Sequence, residues 1–282
     1  MNLENALNKG NNILIKNNIK SSIIDCEILM SKAINKDRKF IISNLDRKID
    51  NDTLTYFNHL ILQRACGKPI SYITGVKEFW RFQFQITDDV LIPRPDTEII
   101  IEEVLKITKY RNRLKILDIG VGSGCILLSL LKEKKNFKGI GIDLSRKCVD
   151  LSILNALNLG LSDRVKFFKS DIDNFNIGKY DLIISNPPYI NLIDFKNLDK
   201  DIKNFEPKLA LYGGLDGLSE IRKVINKSSE LVKLNGKLVI EIGFDQKDKV
   251  EKILIKKGFF INKVVKDYAN NYRCIISTKI KS

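Results

Sequence analysis

Four consecutive residues, Asn186-Pro187-Pro188-Tyr189, follow the apolar run Asp181 to Ser185 directly. A planar nitrogen, in an amide or an exocyclic amine, has a delocalised lone pair and attacks poorly. A site that makes it react must hold both N–H groups and leave the lone pair in line with the electrophile. The Asn186 side-chain oxygen is one acceptor for that task. The Pro187 carbonyl, on a proline-stiffened backbone, is the other. The Tyr189 ring can lie against the flat face of the target group. Both acceptors strengthen as positive charge grows on nitrogen, so they favour the transition state over the ground state. No histidine base is required, because the product nitrogen becomes acidic and loses its proton afterwards.

The second cluster is Asp118-Ile-Gly120-Val121-Gly122-Ser123-Gly124, which leaves one apolar run and opens a helical pattern. Glycine at every second position lets backbone turn tightly and approach a ligand. Nineteen residues beyond Gly124, at the end of the next apolar run, stands Asp143, placed to accept from two ribose hydroxyls. The spacing is GxGxG, whereas the dinucleotide fingerprint is GxGxxG, and no Gly-Lys-Ser/Thr follows as in a P-loop. The leading Asp118 suits a cation better than a pyrophosphate. An adenosyl-sulfonium ligand is the reading that accounts for both acids. Asp171, at the end of a further short run, can accept from an adenine amino group, with Ile172 as an apolar wall. It can equally cap a turn.

These residues need a scaffold. From Pro93 onward the pattern alternates: helix over Thr97 to Ile107, strand over Lys115 to Ile119, helix over Ile126 to Glu133, strand over Gly139 to Ile142, and helix over Lys147 to Leu159. Strands then follow at Val165 to Phe168 and Leu182 to Ser185. A helix over Leu218 to Leu234, closed by Asn235-Gly236, leads to a strand at Lys237 to Ile242 and a helix at Lys247 to Lys257. The strands Phe259 to Val265 and Cys274 to Thr278 close the chain. Such alternation predicts an α/β fold with a mostly parallel sheet covered on both faces, its ligands at the carboxyl ends of the strands. Upstream, Asn2 to Asn17, Ser22 to Ile34 and Thr53 to Cys66 carry apolar residues at helical spacing, which predicts a small bundle. Between them, Glu78 to Ile92 alternates like a β-hairpin around an Asp88-Asp89 turn. The expected domains are 1–75, helical and substrate-binding; 76–93, a hairpin linker; and 94–282, catalytic.

Composition excludes several classes. Hydrophobic residues make up 44% of the chain, enough for a sizeable core. No apolar run nears the roughly 18 residues that span a bilayer, and the polar start lacks a signal-peptide core. A cytoplasmic protein is expected, without a membrane partner. His59 is the sole histidine, and the five cysteines include no CxxC pair, which argues against a metal site or a disulfide framework. The net charge of +14 is diffuse: residues 1–85 contribute 13 basic and 8 acidic side chains, a net of +5, and the remainder +9. AT-rich codons for Lys, Asn and Ile account for it as readily as a nucleic-acid partner does.

The three elements Asp118 to Gly124, Asp143 and Asn186 to Tyr189 resemble the motifs of class I (Rossmann-like) methyltransferases that act on planar nitrogen. Three further stretches narrow the resemblance. They are Pro69-Ile-Ser-Tyr-Ile-Thr-Gly75 with Glu78-Phe79-Trp80; Leu91-Ile-Pro93-Arg94-Pro95-Asp96-Thr97-Glu98; and Glu206-Pro207 with Ala210-Leu211 and Gly213-Gly214-Leu215-Asp216-Gly217-Leu218. Together they are similar to the PrmC/HemK family, the release factor glutamine methyltransferases, along nearly the whole chain. The resemblance implies S-adenosylmethionine as cofactor, lined by Gly120 to Gly124, Asp143, Asp171, Ile172 and Asn186. It implies that Asn186 to Tyr189 hold the substrate amide, the glutamine of the Gly-Gly-Gln motif in class 1 peptide-chain release factors. The helical domain would grip that substrate. The family usually has Glu where this chain has Asp96, and often an aromatic where it has Ile172. A nucleic-acid amine methyltransferase, for rRNA or DNA adenine, would share the Asn-Pro-Pro-Tyr chemistry. Against it, the chain has no long insertion for target recognition and no concentrated basic face, so stable nucleic-acid binding is not expected. A monomer is expected, with nothing in the sequence that fixes the oligomeric state. A binding protein retaining a dead methyltransferase fold would have lost motif residues that are intact here.

Overall fold

A computed structural model describes residues 1–281, and it divides into two compact units, Met1–Val76 with Asp199–Phe205, and Lys77–Leu198 with Glu206 onward. The first unit is helical. Its elements are α1 (Leu3–Lys16), α2 (Ser22–Ile34), α3 (Arg38–Ser43), α4 (Asn51–Ala65) and α5 (Ile70–Thr74). Asn2, Asp37 and Asp50 cap α1, α3 and α4 by accepting from backbone N–H groups three residues on, at 2.7–3.0 Å. Leu3, Leu14, Leu29, Met30, Phe57 and Ile61 fill the core. Gly10 lets α1 close on α4, since a Cβ there would sit 3.0 Å from the Phe57 ring. Arg64 and Asp25, both nearly buried, pair at 2.7 Å.

The second unit opens with a hairpin smaller than its sequence pattern suggests. β1 (Val76–Phe79) and β2 (Phe82–Gln85) pair across Trp80-Arg81, with Trp80 at φ 57°, and residues 90–92 are not strand. The turn forms at Trp80 because Glu98 accepts its backbone N–H at 2.6 Å and Glu133 its indole N–H at 2.7 Å. A 3-10 turn at Pro95–Thr97 leads into α6 (Glu98–Ile107). Then come β3 (Lys115–Ile119), α7 (Cys125–Glu133), β4 (Lys138–Asp143), α8 (Arg146–Asn158), β5 (Val165–Lys169) and β6 (Tyr180–Ser185). Three short helices follow, α9 (Leu192–Lys196), α10 (Lys200–Phe205) and α11 (Lys208–Leu211), of which α10 belongs to the first unit. The chain continues through α12 (Ser219–Leu231), β7 (Val232–Glu241), α13 (Lys247–Lys256), β8 (Phe259–Lys266) and β9 (Tyr272–Lys279).

Among the described residues, seven strands form one sheet in the order β5-β4-β3-β6-β7-β9-β8. β3 to β7 pair in parallel, and β9 runs antiparallel between β7 and β8. Ile116, Leu117, Leu182, Ile183 and Ile184 are buried on both sheet faces, hence the unbroken apolar runs. Strand order reverses between β3 and β6, whose ends Ile119 and Ser185 are paired. That reversal places a crevice at their carboxyl ends. One expected boundary moves. The helix before β7 stops at Leu231 and not Leu234, because buried Val232 joins the sheet opposite Tyr180 while Lys233 pairs with Asp181 at 2.6 Å. Asn235-Gly236 then turn inside a strand irregularity, Asn235 at φ 64°. Among the described residues, no helix is long and apolar enough to cross a membrane.

Candidate active site

A cavity of about 540 Å³ lies at that crevice. One side is the loop after β3, where Gly120, Gly122 and Gly124 have φ of 75°, 56° and 81°. These values exclude most side chains, and at Gly120 and Gly122 the space a Cβ would point into is open. The loop is pinned from behind. Gly120 and Val121 donate to the Ile142 carbonyl at 2.9 and 3.0 Å, and Ser152 and Asn155 donate to the carbonyls of Gly122 and Ser123 at 2.8 Å.

Asp143 ends β4 against this loop. One carboxylate oxygen accepts from Gly122 N at 3.0 Å and the other from Ser145 N at 2.9 Å. Burial still raises its pKa above the ordinary carboxylate value. Asp118 is more extreme. It is 1% exposed, and neither carboxylate oxygen has a hydrogen-bond partner among the described residues. Burial, with the Asp143 charge second, pushes its pKa up to about 8. Two acids crowded in low dielectric, with an open glycine loop beside them, form a place for a cation that also carries hydroxyl donors. An adenosyl-sulfonium compound has both features, so the residues fit the cofactor expected from the sequence. Asp171 and Ile172 line the same cavity after β5, and Asp171 also accepts from Asp173 N at 3.0 Å to cap a 3-10 turn.

The other side is the turn after β6. Asn186, Pro187 and Pro188 line the cavity. Asn186 Nδ2 donates to Thr97 Oγ1 at 3.2 Å, which leaves Asn186 Oδ1 as an acceptor. Tyr189 is placed otherwise than a ring laid against a target group. It does not line the cavity, it packs on the sheet core, and its phenol donates inward to Glu241 Oε1 at 3.1 Å. Arg273 donates to the same phenol oxygen at 3.4 Å and pairs with buried Asp267 at 2.9 Å. Burial raises the Tyr189 pKa, so the phenol keeps its proton. Gln246 fastens the turn by donating to the carbonyls of Tyr189 and Gly217, at 2.9 and 3.1 Å. Gly213 and Gly217 allow that approach, since Cβ atoms there would sit 2.7 Å from the Pro188 carbonyl oxygen and 2.5 Å from that of Tyr189.

Sequence reasoning did not single out Thr97, Arg94, Glu206, Glu241 and Arg273 for roles, although three of them lie in the quoted stretches. Arg94 and Glu206, from two of those stretches, pair at 2.5 Å beside the cavity, with Arg94 and Pro207 in its wall. A buried acid at a strand end, Glu241, was the signal available for the support behind the turn.

Two family models and several relatives match this chain. Residues 5–75 match the PrmC N-terminal domain and residues 96–200 the methyltransferase small domain. The chain is 36% identical over 282 residues to the release factor glutamine methyltransferase of Clostridium acetobutylicum, covering 99% of each chain. It is 37% identical over 283 residues to that of Buchnera aphidicola subsp. Baizongia pistaciae, covering 99% of this chain and 100% of the relative. Among solved structures, a methyltransferase from Pyrococcus furiosus superposes with a TM-score of 0.51 at 17% identity, over 70% of this chain and 89% of its own. That likeness establishes the Rossmann-like methyltransferase fold.

Proposed function

Since the chain belongs to the release factor glutamine methyltransferase family, we propose that it methylates the side-chain amide nitrogen (N5) of the glutamine in the Gly-Gly-Gln motif of class 1 peptide-chain release factors. S-adenosylmethionine supplies a methyl group made electrophilic by its sulfonium. Gly120 to Gly124 and Asp143 would hold that cofactor, Asp118, which keeps its proton in the free protein up to about pH 8, would give up that proton when a cation binds beside it, and Asp171 with Ile172 would border the adenine. Asn186 Oδ1 and the Pro187 carbonyl accept from the two N–H groups of the glutamine amide. Held so, the nitrogen lone pair turns toward the methyl group, and the acceptors bind more strongly as charge develops. Transfer would exchange the methyl group's bond to sulfur for one to the amide nitrogen, whose proton would leave to water. Tyr189 anchors the turn from behind.

The observation that carries this reading is the orientation of Asn186, whose amide N–H is committed to Thr97 while its oxygen is left for the cavity that the glycine loop also lines. The same reading has the chain work on cytoplasmic translation factors without stable nucleic-acid binding, and we take it to act as a monomer. The test is methyl transfer from labelled S-adenosylmethionine, offering a purified release factor beside total RNA and DNA. Label in the release factor, lost when the motif glutamine is replaced, is the expected result. Label in nucleic acid alone would assign the same chemistry to a base amine.

A further inference from the structure

Arg94 and Glu206 stand 112 positions apart, and each precedes a proline. The residue before a proline is steered out of helical backbone. Arg94 follows that rule with φ −95° and ψ 144°, just ahead of the 3-10 turn that begins at Pro95. Its Nη2 donates to Glu206 Oε1 at 2.5 Å. The Glu206 side chain is 2% exposed and that of Arg94 36%. The acid end of the pair is therefore buried, while the guanidinium end lines the cavity, as do Pro207, Leu209, Ala210 and Tyr212. A guanidinium carries several N–H donors in a rigid fork, so donors remain beyond the one that Glu206 takes.

The charge of the wall narrows what those donors can hold. Among the described residues that line the cavity, the cations are Arg94 and Lys223. Both are already paired, Lys223 with Glu220 at 2.9 Å. The acids Asp88, Asp89, Asp143, Asp171 and Glu220 line the same cavity. A phosphate or a free carboxylate thus meets no uncompensated cation among these residues. A neutral carbonyl oxygen needs a donor and no counter-charge, and a guanidinium balanced by Glu206 supplies that.

We infer that Arg94, held by Glu206, is a substrate-binding residue that donates to a main-chain carbonyl of the segment bearing the target glutamine. This rests on the proposed reading of the site as a glutamine methyltransferase. The glycines that precede the target glutamine leave their carbonyls unscreened by side chains. Arg94 is fixed at one end by the proline-flanked backbone and at the other by Glu206, so little side-chain freedom is lost when the substrate arrives. A nucleic-acid target would bring phosphates, which the acids of the wall repel.

The test measures KM and kcat on a release factor at saturating cofactor, calorimetric affinity for S-adenosylmethionine, and melting temperature. The variants are Arg94→Met and the double variant Arg94→Met/Glu206→Met. Arg94→Met leaves a buried acid without its partner and should lower the melting temperature, whereas the double variant removes the acid too and should recover it. In both, KM for the release factor should rise about tenfold, with kcat and cofactor affinity within about threefold of wild type. An ion pair that only supports the fold would behave otherwise: KM would return to the wild-type value along with the melting temperature in the double variant, and that result would overturn the inference. A loss of about tenfold in cofactor affinity would overturn it too, by assigning Arg94 to the carboxylate of the cofactor. If neither variant folds, Arg94→Lys keeps the charge without the fork and should still raise KM, and a wild-type KM there would overturn the inference. A wild-type enzyme that labels nucleic acid and not the release factor would instead overturn the reading of the site.

Discussion

The two sides of the cavity are built by opposite means. On the cofactor side, backbone does the shaping and buried acids are left without a cation among the described residues: open glycines, an Asp143 that accepts from two backbone N–H groups, and an Asp118 with no hydrogen-bond partner among those residues. On the amide side, polar side chains answer one another, Asn186 to Thr97, Tyr189 to Glu241, and Arg273 to Tyr189 and Asp267. The difference matches what each side must bind. A cation is attracted by buried acids whose charged form costs the free protein stability. A neutral amide offers little charge to attract, and is gained by fixing acceptors in advance. Binding and turnover should therefore be separable by mutation.

Asn186→Ala should have the largest effect on turnover, a loss of about 10²-fold in kcat, because it removes an acceptor whose hydrogen bond strengthens in the transition state. Single-turnover kinetics with saturating cofactor measure it. Asp118→Asn should act on the other side, weakening cofactor binding by about tenfold in calorimetry above pH 8, where the free protein carries the Asp118 charge, and by less below it. It also carries a pH signature. Below about pH 4 the folded and unfolded wild-type chains both hold the Asp118 proton. Between there and the folded pKa of about 8, only the folded chain holds it, so wild-type stability falls as pH rises. The melting temperature of cofactor-free Asp118→Asn should thus pull ahead of wild type as pH climbs toward 8, then hold a constant lead. A lead that shrinks with pH would mean that Asp118 is compensated in the folded protein. Asp171→Ala should have the smallest effect, a loss of about threefold in cofactor affinity at unchanged kcat, since Asp171 is exposed and one of its oxygens already caps a turn.

The same contrast explains how much could be read from the sequence. The glycine loop and the Asn186–Tyr189 turn are contiguous, and each sits after an apolar run, so position in an α/β sheet followed from alternation. Asp143 was legible for the same reason, as the next strand's end. The support of the turn was not legible, because its partners are brought together only by folding. Thr97 and Asn186 are 89 positions apart, and Tyr189 and Glu241 are 52. Nor did the sequence tell that the Tyr189 phenol turns inward, since an aromatic beside a turn can face either way until its hydroxyl finds a partner. The short helices α3, α5 and α9 to α11 are below the length at which apolar spacing has a period to show. The Asn235-Gly236 pair looked like a helix stop, but a β-branched Val232 with a strand waiting beside it won over local turn chemistry.

The central claim is that one cavity holds a charged cofactor and a neutral amide by independent sets of residues. Its most direct test is calorimetric binding of S-adenosylmethionine to Asp143→Ala and Asn186→Ala side by side. The account predicts that Asp143→Ala loses about 10²-fold in affinity while Asn186→Ala stays within about threefold of wild type. Comparable losses in the two variants would contradict it, and would mean that the amide clamp and the cofactor loop act as a single binding unit.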